Sequence, residues 1–253
     1  METLRSPHYA TPPKAAGFPK GWRLPFVRIF PASQEKHPPP VDYVGPPLAD
    51  LAGERVFCSE FKYRKGIEIF GEGGHADEYV YQITSGAVRT YKMLPDGRHQ
   101  INAFHLQGDM FGFENGVAHR FSADALVETH VRIIKRGSIL DAMQNRVVST
   151  KNLICFVTQN LQHAEDHMLL LGRKTSLERV AAFLLEMDER LAHPAMMLLP
   201  MNRRDIADYL GITLETVSRA FSILRDEALL RFDGNIQRRI ELLDRHALAE
   251  FDA

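Results

Sequence analysis

Residues 55–135 are made of short runs in which apolar and polar side chains alternate, at 79–83, 87–92 and 101–106 among others. Glycines at 66, 71, 73, 74, 86, 97, 108, 112 and 116 punctuate these runs. A period of two is that of a strand with one face in a core. Pro95-Asp96-Gly97 reads as the tight turn between two such strands. Evenly spaced short strands with turn residues between them predict an antiparallel barrel or roll over 51–137.

The period changes after Ser138, which with Asp141 three residues on suggests a helix cap. Val147, Ile154, Val157, Leu161, Ala164, Met168 and Leu171 recur at spacings of seven, three, four, three, four and three. That is a heptad seam, with Lys151, Gln159, Glu165 and Asp166 off it. A long helix over 138–172 is predicted, pairing along this seam with a second copy of the chain. Another amphipathic helix is expected over 175–192. It places Leu177, Val180, Ala181, Leu184 and Leu185 on its buried face, with Thr175 and Glu178 as a capping box.

The stretch Arg204–Phe221, RDIADYLGITLETVSRAF, has the spacing of a helix-turn-helix. Its helices are expected over 203–210 and 214–227. Ala207 is small where the two helices approach. Gly211 stands at the end of the first, where glycine takes a positive φ without strain. Ile206, Leu210, Ile212 and Val217 close a small core. Asn202 is read as the N-cap of the first helix with Asp205 at N3, and Thr213 as the N-cap of the second. This leaves Leu214, Glu215, Ser218 and Arg219 on the N-terminal part of a helix able to enter a major groove. Runs at 229–232 and 239–243 around Gly234 read as a small wing hairpin within 173–253.

Composition constrains the partners. The net charge of −1 argues against a general nucleic-acid coat but not against a reader with one basic face. Arg173, Lys174, Arg203, Arg204, Arg219 and Arg225 are available for such a face. No apolar run reaches the roughly 18–20 residues that span a bilayer, so no membrane association is expected. Without an apolar signal core a cytoplasmic location is expected. Cys58 and Cys155 form no metal-spacing pattern. Residues 1–50 hold most of the prolines and no apolar period, and read as a mostly disordered extension. No triad or paired-carboxylate pattern suggests an enzyme.

In order and in motifs the chain resembles the CRP/FNR superfamily of bacterial transcription regulators over roughly residues 50–250. SGAVRTYK (85–92), GDMFGFE (108–114) and DIADYLGITLETVSRAF (205–221) carry the likeness, which is nearest the FNR/FixK branch. The resemblance implies an α+β fold: an N-terminal antiparallel β-roll of cyclic-nucleotide-binding type, a long dimerisation helix and a C-terminal winged helix-turn-helix. It also raises the question of an effector. Cyclic-AMP-responsive members carry F-G-E and then R-S-A in a phosphate cassette. Here Phe111-Gly112-Phe113-Glu114 and Phe121-Ser122-Ala123 stand there, so phenylalanine replaces the arginine. Arg120, one place earlier, would face the other way. The iron–sulfur cluster of FNR needs four thiolates, and this chain has two cysteines. No cofactor is expected.

For DNA, the resemblance carries E-x-x-S-R onto Glu215, Ser218 and Arg219. Carboxylate pairs with cytosine N4 and arginine with guanine O6 and N7, while Leu214 suits a thymine methyl. Arg203, Arg204, Thr213 and Thr216 are expected at phosphates. Together these imply a TTGA-N6-TCAA palindrome of double-stranded DNA, read by a homodimer that recruits RNA polymerase as an activator in low-oxygen or nitrogen-oxide-linked gene control. The alternative is a haem- or small-ligand-responsive regulator of the same fold, with His75, His99, His105, His119 and His130 as possible haem ligands or plain surface residues. His163 and His167, four apart on the long helix, are read as solvated or seam-flanking.

Overall fold

The computed structural model describes residues 58–76, 78–114, 116–139, 147–234 and 237–251. The reading of a proline-rich extension therefore falls outside the described residues. The alternating runs form eight strands: β1 (Cys58–Tyr63), β2 (Glu68–Phe70), β3 (Tyr79–Ser85), β4 (Val88–Met93), β5 (His99–His105), β6 (Met110–Phe111), β7 (Ser122–Ala125) and β8 (Thr129–Lys135). They pair antiparallel in two four-stranded sheets, β1-β8-β3-β6 and β2-β7-β4-β5. Tyr81, Ile83, Phe111 and Val131 from one sheet meet Val88 and Ala123 from the other in a shared core. Pro95-Asp96-Gly97 does turn β4 into β5, with Gly97 at φ 82°. Gly86, at φ 91°, has a second constraint: a Cβ there would lie 2.5 Å from Thr129 Oγ1 and 2.6 Å from the Glu128 carbonyl oxygen.

A helical turn at 136–139 follows β8. Ser138 lies within that turn rather than ahead of a helix, and Asp141 is outside the described residues. The long helix α1 spans Val147–Arg173. On its seam Val157, Leu161 and Met168 are 54%, 56% and 66% exposed in the single chain, and Ala164 is also exposed. The side chains of Val147 and Ile154 lie outside the described ones. Leu171 is half-buried against the chain's own core. The flank of the seam is spoken for as well. His167 stacks on Tyr209 with centroids 4.1 Å apart and planes 6° apart, so it is not a solvated residue. The helix packs this face on the C-terminal part of its own chain.

α2 (Ser176–Arg190) begins at Thr175 with both halves of the expected capping box in place. Its buried face is broader than the reading of five positions. Phe183 and Met187 are fully buried, while Leu177 and Leu185 are only partly so. The reason is that α2 is covered from two sides. Phe104 of β5 lies 6.1 Å from Phe183 and 5.0 Å from Tyr209, and Phe183 lies 5.9 Å from Tyr209. Roll residues Ala87, Ile101, Phe104, Leu106 and Leu126 thus belong to the same core as the C-terminal helices.

β9 (Met197–Leu198), α3 (Arg203–Leu210), α4 (Leu214–Asp226), β10 (Leu230–Phe232), β11 (Arg239–Leu242) and α5 (Arg245–Glu250) complete the chain. The wing is a three-stranded sheet, β10-β11-β9, rather than the hairpin alone. No helix among the described residues is long and apolar enough to cross a membrane.

Candidate nucleic-acid interface

The helix-turn-helix is fixed at each joint by short-range chemistry. Asn202 Oδ1 accepts the backbone N–H groups of Arg204 at 2.8 Å and Asp205 at 3.1 Å. Asp205 Oδ2 accepts the Asn202 N–H at 2.8 Å, so α3 starts in a reciprocal box. Gly211 ends α3 at φ 63°, ψ 33°, in the left-handed region. Arg179 of α2, which sequence reasoning missed, donates to the carbonyls of Leu210 and Leu171, each at 2.9 Å. It satisfies the open C-terminal ends of α3 and α1 together. Thr213 then caps α4 by accepting the Thr216 N–H at 3.2 Å, and the two hydroxyls lie 3.0 Å apart. Ile206, Ala207, Leu210 and Val217 are buried between the helices, and Ile212 partly so.

These constraints decide which side chains face outward. Glu215 and Arg219 are exposed, and Leu214, Thr216 and Ser218 are half-buried. Positions 215, 218 and 219 are three and four apart and share one face of α4. The Glu215 carboxyl is held below the usual carboxylate range by its own backbone N–H and the Thr213 hydroxyl, with smaller help from Arg204 and Arg219. It is an acceptor only, the form that pairs with an amino group. Arg204 is exposed at the first turn of α3. Arg203 is turned inward: its guanidinium lies 5.0 Å from the Phe221 ring and 5.4 Å from Phe232, across the α4–wing junction. Burial and the neighbouring Arg225 charge lower its pKa.

Comparison with known proteins gives the same order of parts. The model of the Crp-like helix-turn-helix domain matches residues 178–251, and that of the cyclic nucleotide-binding domain matches 60–146. The nitrogen fixation regulation protein FixK of Rhizobium meliloti is 39% identical over 208 residues, 82% of this chain and 92% of FixK. The chain belongs to the CRP/FNR family, as a FixK-like DNA-binding transcription regulator. The transcriptional activatory protein AadR of Rhodopseudomonas palustris is 44% identical over 173 residues, covering 67% of this chain and 72% of AadR. The solved structure of FixK2 from Bradyrhizobium japonicum superposes with a TM-score of 0.74 at 56% identity, covering 78% of this chain and 98% of that one.

The CRP/FNR roll raises the matter of a nucleotide phosphate, and the residues here do not fit one. Arg120 is exposed and its guanidinium lies 5.7 Å from the Phe121 ring. The Glu114 carboxylate accepts the Arg120 N–H at 3.1 Å and hydrogen-bonds the His119 ring nitrogen at 2.8 Å. A phosphate approaching this segment would find the loop's own N–H already taken by the Glu114 carboxylate, whose charge would repel it. His119 is buried and stacked 3.7 Å from Phe70, which corrects its reading as a surface histidine. His105 is likewise packed, on Thr90 at 3.1 Å and the Phe111 ring at 5.0 Å. Among the described residues no group of three His, Cys, Asp or Glu side chains is placed to hold a metal ion.

Proposed function

We propose that two copies of this regulator pair along α1 and read a TTGA-N6-TCAA palindrome, one α4 to each half-site. The observation that carries the reading is the pair Glu215 and Arg219, left exposed on one face of a helix whose start is fixed by Thr213. Arg219 takes guanine O6 and N7, Glu215 takes cytosine N4, Ser218 assists, and Leu214 meets a thymine methyl. Arg204, Thr213 and Thr216 hold phosphates, while Arg203, expected among them, is turned onto Phe221 and Phe232 and braces the reader from within. The exposed Val157, Leu161, Ala164 and Met168, with Val147, Ile154 and part of Leu171, form the dimer seam. Two-fold pairing sets the half-site centres about one helical turn apart.

Its likeness to FixK, a nitrogen fixation regulation protein, and to AadR, a transcriptional activatory protein, supports an activator's role. Low-oxygen or nitrogen-oxide-linked gene control, recruitment of RNA polymerase and a cytoplasmic location complete this proposal. We read 1–50 as an extension, 51–137 as the roll, 138–172 as the dimer helix and 173–253 as the reader. The test is footprinting of purified protein on genomic promoter fragments, with and without air. Protection centred on such palindromes is expected; protection that ignores them sinks the assignment. A second reading, control by a small ligand, has one observation behind it. A cleft of about 680 Å³ lies between β5 and α1, bordered by His105, Asp109, His163 and Arg190. A visible absorption band in the purified protein would identify haem there.

A further inference from the structure

Arg89 projects from β4 between two carboxylates of different elements. Its Nε and Nη2 donate to Asp124 Oδ1 and Oδ2 of β7 at 2.7 and 3.0 Å. Its Nη1 donates to Asp205 Oδ1 at the start of α3, 116 residues further along the chain. All three side chains are largely buried, at 20% exposure for Arg89, 11% for Asp124 and 5% for Asp205. Asp205 is at the same time the N3 half of the α3 capping box. Its two oxygens therefore divide the work, one holding the start of α3 and the other holding α3 to the roll. A fork-shaped guanidinium is the group suited to bridging two carboxylates at fixed angles.

Further contacts act on the same helix. Gln100 of β5 donates from Nε2 to the Asp208 carbonyl at 3.1 Å, and Phe104 lies 5.0 Å from Tyr209. α3 in turn fixes α4 through the Gly211 turn and the buried contact of Ile206, Ala207 and Val217. The docking leaves the reading face open, since Glu215 and Arg219 remain exposed. A contact that suppressed reading would cover that face. This one sets the direction in which α4 points.

We propose that Arg89 is a positioning residue for DNA recognition, aligning the reading helix with the roll through Asp205. The inference rests on the two-half-site reading proposed above. α1 holds α3 at its C-terminal end, through His167 on Tyr209, and the roll holds it at its start, through Arg89; in a dimer, loss of the second hold lets α3 pivot and misaligns the two α4 helices relative to each other. One helix alone on one half-site is unaffected.

The experiment compares the full-length protein with R89Q, R89K and D205N, using a TTGA-N6-TCAA duplex, a duplex with a single TTGA and a scrambled duplex, all at one salt concentration. R89Q and D205N are expected to bind the palindrome on the order of tenfold more weakly, and the lone half-site within about twofold of wild type. R89K keeps the charge without the fork and falls between. The R89Q/D205N double variant loses no more than the worse single, as for two ends of one contact. Equal palindrome affinity in wild type and R89Q overturns the proposal. So does tighter binding, or an equal loss on both duplexes, which is what simple loss of fold would give. Wild type that fails to distinguish palindrome from scrambled DNA overturns the underlying reading and this proposal with it.

Discussion

Arg219→Ala isolates the chemistry assigned to the recognition helix. In the free protein Arg219 is exposed on α4 and makes no close ion pair among the described residues, so its removal leaves the fold nearly untouched. Its loss should appear almost entirely in binding. A bidentate arginine–guanine contact is worth about 1–3 kcal/mol of discrimination. The palindrome holds two such contacts, so the dimer should lose roughly 2–6 kcal/mol, a Kd increase of about 30-fold at the lower bound. Fluorescence anisotropy at fixed salt, on the TTGA-N6-TCAA duplex and on one with both contacted guanines replaced by adenine, separates readout from charge. Wild type should prefer the first strongly, and Arg219→Ala should bind the two nearly alike. A variant that loses affinity equally on both duplexes, keeping its preference, would show that Arg219 only attracts the backbone. Urea melts of the two proteins should coincide, which keeps folding out of the comparison.

Gly211→Ala should destabilise by about 1–2 kcal/mol in urea melts, the cost of a left-handed residue bearing a Cβ. The new Cβ would sit 3.6 Å from Leu171 Cδ2, an ordinary contact, so a loss well above that range would contradict the backbone account. Leu161→Asp, at a position 56% exposed in the single chain, should give a monomer by analytical ultracentrifugation and weaken palindrome binding; an unchanged dimer refutes the seam. Burial pushes the His105 pKa down to about 4 from an ordinary 6.5. Below pH 6.5 the unfolded chain takes up a proton that the folded one refuses. Stability should therefore fall as the pH drops to about 4, by up to roughly 3 kcal/mol. His105→Asn should remove that part of the acid dependence, and parallel stability curves for the two proteins would contradict it.

The reader was legible because its signals are local. Ala207, Gly211, Thr213 and the Asn202/Asp205 pair each act within four residues, and the limits of α3 follow from them. The roll was legible as a strand pattern for the same reason, since alternation and turn residues need no knowledge of partners. β9 was not, because two residues carry no period. Phe183 and Met187 were missed on α2 because a one-sided apolar stripe was assumed for a helix covered from two sides. His119 and His167 looked solvated because a lone imidazole gives no local sign of the ring it stacks on. Arg89 is the extreme case: its partner Asp205 is 116 residues away, Arg89 looks like ordinary surface charge in its own neighbourhood, and the cap of α3 already accounts for Asp205.

The aromatic contact of Phe104 with Phe183 and Tyr209 also bears on how such regulators can be recombined. A chimera that grafts the roll of one relative onto the reader of another transplants half of a hydrophobic core. Its junction in sequence near residue 174 is not its junction in space. Exchanges that carry Phe104, Ile101 and Leu106 along with the reader should yield soluble hybrids, whereas exchanges cut only at the linker should expose the facing rings and aggregate.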